Sequence, residues 1–321
     1  MAADRSGRPV HLLEKDVWVV WALETLYAAP FGRHLVFKGG TSLSKAYDVI
    51  ARFSEDVDLT YDIRAIAPDF TTAGTEPIPA SPSQEQKWTK AIRTRLDDWT
   101  ASTVAPTLKS RLAELRSTAT VGVDGATVTV TYEPLATGTG YVRPVVLLEF
   151  GARSTGEPSE PRSVTCDAAA HIPGVAFPTA IALTMRPERT FWDKATAIHV
   201  FCLGGRIRGD DRVSRHWYDV VALAQAGYAT TAIADRAVAR TVARHKNAFF
   251  RERDAGGALI DYMNAVGGSL QLVPDGDRLA LLGADYERMV ADGLLLSTPV
   301  PFDSLIEQCR EIQRRANAVA T

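Results

Sequence analysis

Two neighbouring segments limit what this chain can become: Phe37-Lys38-Gly39-Gly40-Thr41-Ser42 and, one short helix later, Phe53-Ser54-Glu55-Asp56-Val57-Asp58-Leu59. Leu35-Val36-Phe37 is an apolar run ending in a charged residue and two glycines, the pattern of a buried strand that turns at once into a helix. Glycine has no Cβ, so the backbone of such a turn can approach a ligand closely. Leu43, Ala46, Tyr47 and Ile50 share one helical face, which predicts a helix over 43–52 with Thr41 or Ser42 as its N-cap. The free amides and positive dipole end of that helix would face an anion, which makes Lys38, Gly39, Gly40, Thr41 and Ser42 the candidate phosphate cradle. Val57, Leu59 and Tyr61 then alternate with Asp56, Asp58 and Thr60, predicting a strand that carries Asp56 and Asp58 on one face. Side-by-side carboxylates repel unless a cation separates them. Mg²⁺ (or Mn²⁺) suits the place, because Mg²⁺ is commonly held by one or two carboxylates plus substrate phosphates.

G-G-T-S, a helix and D-x-D together resemble the signature of the nucleotidyltransferase fold found in DNA polymerase beta and the antibiotic nucleotidyltransferases. The finer wording of 37–59, F-K-G-G-T-S-L-S-K-A-Y followed by R-F-S-E-D-V-D-L, resembles the AbiEii/AbiGii toxin family, the nucleotidyltransferase half of type IV toxin–antitoxin and phage-defence systems. The spacer from Gly40 to Asp56 is longer than in many polymerase-beta-like enzymes and agrees with the toxin branch. The resemblance implies an α+β chain. A nucleotidyltransferase-fold domain, a mixed sheet flanked by helices, would occupy 1–165, and a mainly helical domain over 166–321 would complete the active-site cleft. It also implies an NTP donor, an RNA acceptor, in first place the tRNA 3′ end, and a cognate antitoxin of the AbiEi type.

Composition agrees with a folded enzyme: 321 residues, 46% of them hydrophobic, are enough for a large core. A net charge of −2 argues against a protein that coats nucleic acid without selectivity, while leaving room for a local basic patch that guides RNA phosphates. Cys166, Cys202 and Cys309 lack the paired spacing of a zinc site and the density of a secreted disulfide scaffold, so buried free thiols are expected. The six histidines show no metal-ligand spacing. No apolar run reaches membrane-spanning length and the first residues lack a signal-peptide pattern, so the cytoplasm is the expected location. Neither the G-x-x-x-x-G-K-[ST] loop nor the G-x-G-x-x-G fingerprint occurs near Gly40, which places ATPase and dehydrogenase readings low.

Around the two segments, the periodicity predicts an amphipathic helix over 12–28 with Trp18, Trp21 and Leu23 toward the core, and another over 88–115. Residues 65–84, rich in Ala, Pro, Thr and Ser, read as a surface loop beside the cleft, and 121–132 as a hairpin turning at Asp124-Gly125. A strand over 145–150 contains Glu149, followed by a Gly/Pro/Ser-rich connection over 151–161 and the main boundary within 162–178. A charge in an apolar strand is costly to bury without a partner. In the nucleotidyltransferase fold a third carboxylate on a neighbouring strand deprotonates the attacking hydroxyl or helps to hold metal, and Glu149 is the match. The alternative is a solvent-facing glutamate or one paired with Arg143 or Arg153.

In the second half, Arg186-Pro187-Glu188-Arg189-Thr190-Phe191-Trp192-Asp193-Lys194 starts like a helix and resembles the toxin family's E-R-x-F-x-x-K segment. Lys194 near the side of Phe191 and Ile198 would bring an ammonium to a triphosphate, or else form an exposed ion pair. Arg215-His216-Trp217-Tyr218-Asp219 resembles the family's next motif, which implies that Asp219 faces the cleft and works with Lys194, with His216 and Tyr218 in support. A capping or core-pairing role for Asp219 is the alternative. Arg240, Arg244, His245, Lys246, Arg251 and Arg253 surround Phe249 and Phe250, a cluster that could meet RNA phosphates and stack a base, or form a solvated face. Two other readings of the whole chain stay open: a nucleotide-binding interaction module without catalysis, and an enzyme that modifies itself, another protein or a small molecule. Ser54 and Thr60 are the hydroxyls nearest the expected metal.

Overall fold

The computed structural model describes residues 2–54, 56–71, 77–136, 143–205 and 212–319. They fall into two compact units, one of Met1–Ala46, Ser54–Pro77 and Gln86–Met185, the other of Tyr47–Phe53, Ile78–Glu85 and Arg186–Thr321.

The first unit is α+β, with one seven-stranded mixed sheet. Its strands are β1 (Leu35–Lys38), β2 (Asp56–Tyr61), β3 (Thr120–Asp124), β4 (Thr127–Thr131), β5 (Val145–Gly151), β6 (Ser159–Thr165) and β7 (Thr179–Met185), in the order β3-β4-β5-β2-β1-β7-β6. β2 runs antiparallel to β1 and parallel to β5, so the strand with the two aspartates lies inside the sheet with a neighbour on each side. Helices α1 (Ala2–Ser6), α2 (Val10–Ala28), α3 (Gly39–Lys45), α4 (Ile63–Ile66), α5 (Pro82–Trp99) and α6 (Ala105–Glu114) accompany the sheet, the first turn of α5 being grouped with the second unit. α2 lies against β7 and α6 with Trp21 and Leu23 buried, while half-buried Trp18 stacks on Tyr132 at 5.1 Å. Val57 and Leu59 of β2 are fully buried, and Tyr61 on their face stacks on Trp99 of α5 at 4.4 Å. This apolar side holds β2 in register and turns its aspartates to the opposite face.

Several local expectations need correction. The helix after β1 begins at Gly39, with Lys38 as its N-cap and no side-chain cap, and ends at Lys45 rather than 52. Thr41 and Ser42 are inside the helix, where their hydroxyls serve other partners, and Asp48 with φ of +51° breaks the predicted continuation. The loop expected over 65–84 contains the end of α4, a 3₁₀ turn (Pro68–Phe70) and the start of α5, while 72–76 lie outside the described residues. The long helix over 88–115 is α5 and α6 joined by a π turn (Thr100–Val104): Pro106 has no amide hydrogen for the carbonyl of Ser102, and the backbone widens just before it. The hairpin pairs Asp124 with Thr127, so its loop is Gly125-Ala126, Gly125 taking φ of +54°. Within the stretch read as a connection, 159–161 open β6, which pairs with β7 from Ser159↔Met185 to Thr165↔Thr179. β6 carries Pro161 because it is the sheet's edge, where a missing donor is tolerated. These two strands, on either side of the expected division at residue 165, belong to one unit.

The second unit is helical: α7 (Pro187–Cys202), α8 (Ser214–Gln225), α9 (Tyr228–Ala234), α10 (Arg236–Phe249), α11 (Tyr262–Asn264), α12 (Gly276–Ala291) and α13 (Phe302–Ala318). Pro187 opens α7, where its missing amide costs nothing. α7 is the central element, packed against α8, α9 and α10, with Phe191, Trp192, Ala195 and Ile198 fully buried. Trp192 and Trp217 each donate their indole N–H to a carbonyl, Ala232 O at 2.9 Å and Leu272 O at 2.7 Å, so neither ring carries an unmet donor into the core. The three cysteines are free and buried. Of the Gly/Arg/Asp-rich stretch over 204–212, which reads from the sequence as a loop, residues 206–211 lie outside the described residues. No helix of the described residues is long and apolar enough to cross a membrane.

Candidate active site

β1, β2, β5 and β4 place one residue each in a single row across the sheet: Lys38 is the register partner of Asp58, Asp58 of Glu149, and Glu149 of Thr127. Register partners share a face, and Asp56 is two residues from Asp58 on the same strand, so Lys38, Asp56, Asp58 and Glu149 all stand on the face opposite Val57 and Leu59. Asp56 and Asp58 are half-buried and Glu149 is exposed. Burial therefore does not argue for Glu149; its register against Asp58 does.

Gly39 makes the close approach at this face. Its φ is +78°, and a Cβ there would overlap the Asp58 carboxylate, with Asp58 Cγ at 2.9 Å. Only glycine meets both conditions without strain. Thr41, buried in the first turn of α3, donates its hydroxyl to Asp56 O at 2.6 Å and lies 3.0 Å from Ser54 Oγ. Ser42, also buried, donates to Gly39 O at 2.9 Å. The Thr41 hydroxyl is spent on tying helix to strand and that of Ser42 on the helix's own first turn, which leaves backbone N–H groups as the means by which 39–42 would meet a phosphate. The far end of α3 is anchored by Lys45, which pairs with Asp16 and Asp167 at 2.6 Å each. Burial raises the pKa of Asp16 despite the opposing charge of Lys45.

The second unit holds the other two predicted residues in a buried network. Lys194 Nζ of α7 lies 2.8 Å from Asp219 Oδ2 of α8, and Asp219 is fully buried. Arg52 completes it with a fork: Nε to Asp219 Oδ1 and Nη2 to Asp219 Oδ2, both 2.7 Å, itself only 3% exposed. Burial alone would raise the Asp219 pKa, but the charges and hydrogen bonds of Arg52 and Lys194 outweigh it and hold the carboxyl well below the usual carboxylate range. The arrangement contains both the expected pairing of Asp219 with Lys194 and the alternative core pairing.

Arg52 was not singled out from sequence, although it opens R-F-S-E-D. The available signal was an arginine flanked by Ile50, Ala51 and Phe53, which is costly to bury without a carboxylate. In the basic cluster of α10, Phe249 is 4% exposed and so is a core residue rather than a stacking platform, and Lys246 donates to Asp193 O at 2.7 Å. Among the described residues no three His, Cys, Asp or Glu side chains gather into a metal-binding group. The two β2 carboxylates fit an Mg²⁺ whose remaining ligands are substrate oxygens and water.

The family model described as Nucleotidyl transferase AbiEii toxin, Type IV TA system, matches residues 21–308. Among solved structures, the chain is similar to MenT4, a nucleotidyltransferase toxin from Mycobacterium tuberculosis H37Rv, at 18% identity and a TM-score of 0.44, covering 98% of this chain and 88% of that one. No curated protein matches.

Proposed function

The chain belongs to the AbiEii nucleotidyltransferase toxin family of type IV toxin–antitoxin systems, and from that premise we propose that it transfers a nucleotide from an NTP to an RNA, the tRNA 3′ end, in an Mg²⁺-dependent reaction that blocks translation. The observation that carries the proposal is the row of Lys38, Asp58 and Glu149 beside Asp56, with Gly39 giving the backbone close access to the Asp58 carboxylate.

Asp56 and Asp58 are the carboxylates that would hold the cation, and the row would present Lys38 and the amides of 39–42 to the NTP phosphates. When bound, the cation supplies charge neutralisation and orientation for the triphosphate. The acceptor hydroxyl oxygen attacks the α-phosphorus, the bond from that phosphorus to the bridging oxygen of the β-phosphate breaks, and pyrophosphate leaves. Glu149 is the group we assign to take the hydroxyl proton. Lys194 and Asp219, paired at 2.8 Å, are the two residues of the second half that we assign to the reaction. An AbiEi-type antitoxin is the expected partner.

The test is purified protein with Mg²⁺, total tRNA and each α-labelled NTP in turn, beside the same tRNA with its 3′-terminal diol oxidised by periodate. Label on intact tRNA and none on oxidised tRNA is the expected result. Label on both would move the acceptor site away from the 3′ end, and label on the protein alone would support self-modification, with Ser54 and Thr60 the first hydroxyls to map.

A further inference from the structure

Helix α3 is seven residues long, about 10 Å, begins with two glycines and has no side-chain N-cap. A helix this short and this poor in helix formers holds no shape of its own, so its seat is set by where its two ends are tied. At the first end the Gly39 backbone lies against Asp58 with no room for a Cβ, and the Thr41 hydroxyl donates to Asp56 O. At the last end the Lys45 side chain, 9% exposed, puts its ammonium between Asp16 Oδ1 and Asp167 Oδ1. Asp16 is buried in α2, and its other oxygen accepts the Asp167 amide at 2.6 Å. Its two oxygens are thus committed, one to α3 and one to the 3₁₀ turn Asp167–His171, whose Asp167 side chain also pairs with Arg8. A buried ammonium follows its carboxylates, because leaving them would strand a charge away from water. The seat of Asp16 in α2, a helix packed on β7, is therefore passed along α3 to Gly39.

We propose that Asp16 is a positioning residue for the row of Lys38, Asp58 and Glu149: by holding Lys45 it seats α3, and with α3 the backbone at Gly39 that confines the Asp58 carboxylate. It acts through Lys45 and Gly39 and is not a catalytic residue. The inference rests on the reading that Asp58 helps to hold the cation.

The experiment measures Mn²⁺ affinity by electron paramagnetic resonance with each α,β-methylene NTP analogue in turn, so that it reads the site and not turnover. The proteins are the full chain, Asp16→Asn, Lys45→Met, the double variant Asp16→Asn/Lys45→Met, Arg8→Gln and Asp58→Asn, each checked for a cooperative melt. Asp16→Asn keeps an acceptor for the Asp167 amide and loses the charge that holds Lys45. Mn²⁺ binding should then weaken about tenfold, as when a group behind a metal ligand is lost, whereas a loss of stability alone would lower the melt and leave the affinity of the folded protein as it was. Lys45→Met should do the same, and the double variant should be no weaker than either single one, since all three cut one path. Arg8→Gln loosens the same ion network without touching α3 and should stay within about threefold of the unaltered protein. A folded Asp16→Asn that binds Mn²⁺ as the unaltered protein does overturns the proposal, as does an equal loss in Arg8→Gln or a double variant weakened by the product of the two single losses. Should Asp16→Asn fail to fold, the double variant, which strands no ammonium, decides: affinity about tenfold weaker supports the proposal, and unaltered affinity overturns it. If Asp58→Asn itself binds Mn²⁺ normally, the reading of Asp58 fails and the proposal with it, an outcome separate from failure at Asp16 alone.

Discussion

Asp58 lays its carboxylate over Gly39, so close that a Cβ on that glycine would overlap it, and Gly39 holds φ of +78° at the point where β1 becomes α3. Gly39 follows directly on β1, whose last residue is in register with Asp58 of β2 at Lys38↔Asp58, so the contact is set by the sheet and not by the turn alone.

Gly39→Ala should therefore act on the site before it acts on the fold. Strain at a positive φ costs about 1–3 kcal/mol, visible as a lower melting temperature. Displacement of the Asp58 carboxylate by even about 1 Å should lower transfer by about a hundredfold. Steady-state rates together with thermal melts check this; an alanine variant with ordinary activity would show that the close approach is dispensable.

The Thr41 hydroxyl joins α3 to the carbonyl of Asp56. Thr41→Val keeps the shape and removes the donor, which should cost about 1–3 kcal/mol because a buried acceptor loses a partner. Thr41→Ser should restore most of the loss. Urea titrations of the three proteins measure it, and equal stability of the valine and serine variants would contradict the assignment.

How far the site is legible in the sequence depends on the range of its contacts. The alternation from Asp56 to Tyr61 is local and has a period of two, so the strand and the common face of Asp56 and Asp58 follow directly from it. The start of α3 does not, because Gly39-Gly40 are poor helix formers and Thr41-Ser42 look like caps, while the structure uses the Thr41 hydroxyl across the helix–strand contact and the Ser42 hydroxyl within the helix. β6 is hidden by Pro161 and by an edge position that needs no hydrophobic run. The Arg52 fork was beyond reach, since its partner Asp219 is 167 residues away and no local pattern ties the two together.

Asp219→Ala would leave Arg52 and Lys194 buried without their carboxylate, so a loss of about 3–5 kcal/mol is expected. Any fall in transfer by this variant must be read beside its melt. Full stability in Asp219→Ala would mean the network is not holding the second unit together.

His199 gives a stability change with pH. Burial pushes its imidazole down to about 4 from an ordinary 6.5, and its Nδ1 accepts the Gln271 amide at 3.0 Å. The unfolded chain thus takes up this proton at higher pH than the folded one. The contribution is complete above about 6.5, falls as pH drops from there to about 4, and amounts to a difference on the order of 3 kcal/mol. His199→Asn keeps an acceptor and cannot titrate, so its stability should fall less than that of the unaltered protein over the same window in urea titrations. Parallel curves would contradict the assignment.

The most direct measurement is transfer of label from an α-labelled NTP to tRNA by Asp56→Asn and Asp58→Asn, each beside its thermal melt. With Asp56 and Asp58 as the carboxylates that bring the cation to the triphosphate, each substitution should abolish transfer while the melting temperature stays level or rises, since a pair of like charges has been relieved. Transfer at the unaltered rate by both folded variants would contradict the account at its centre.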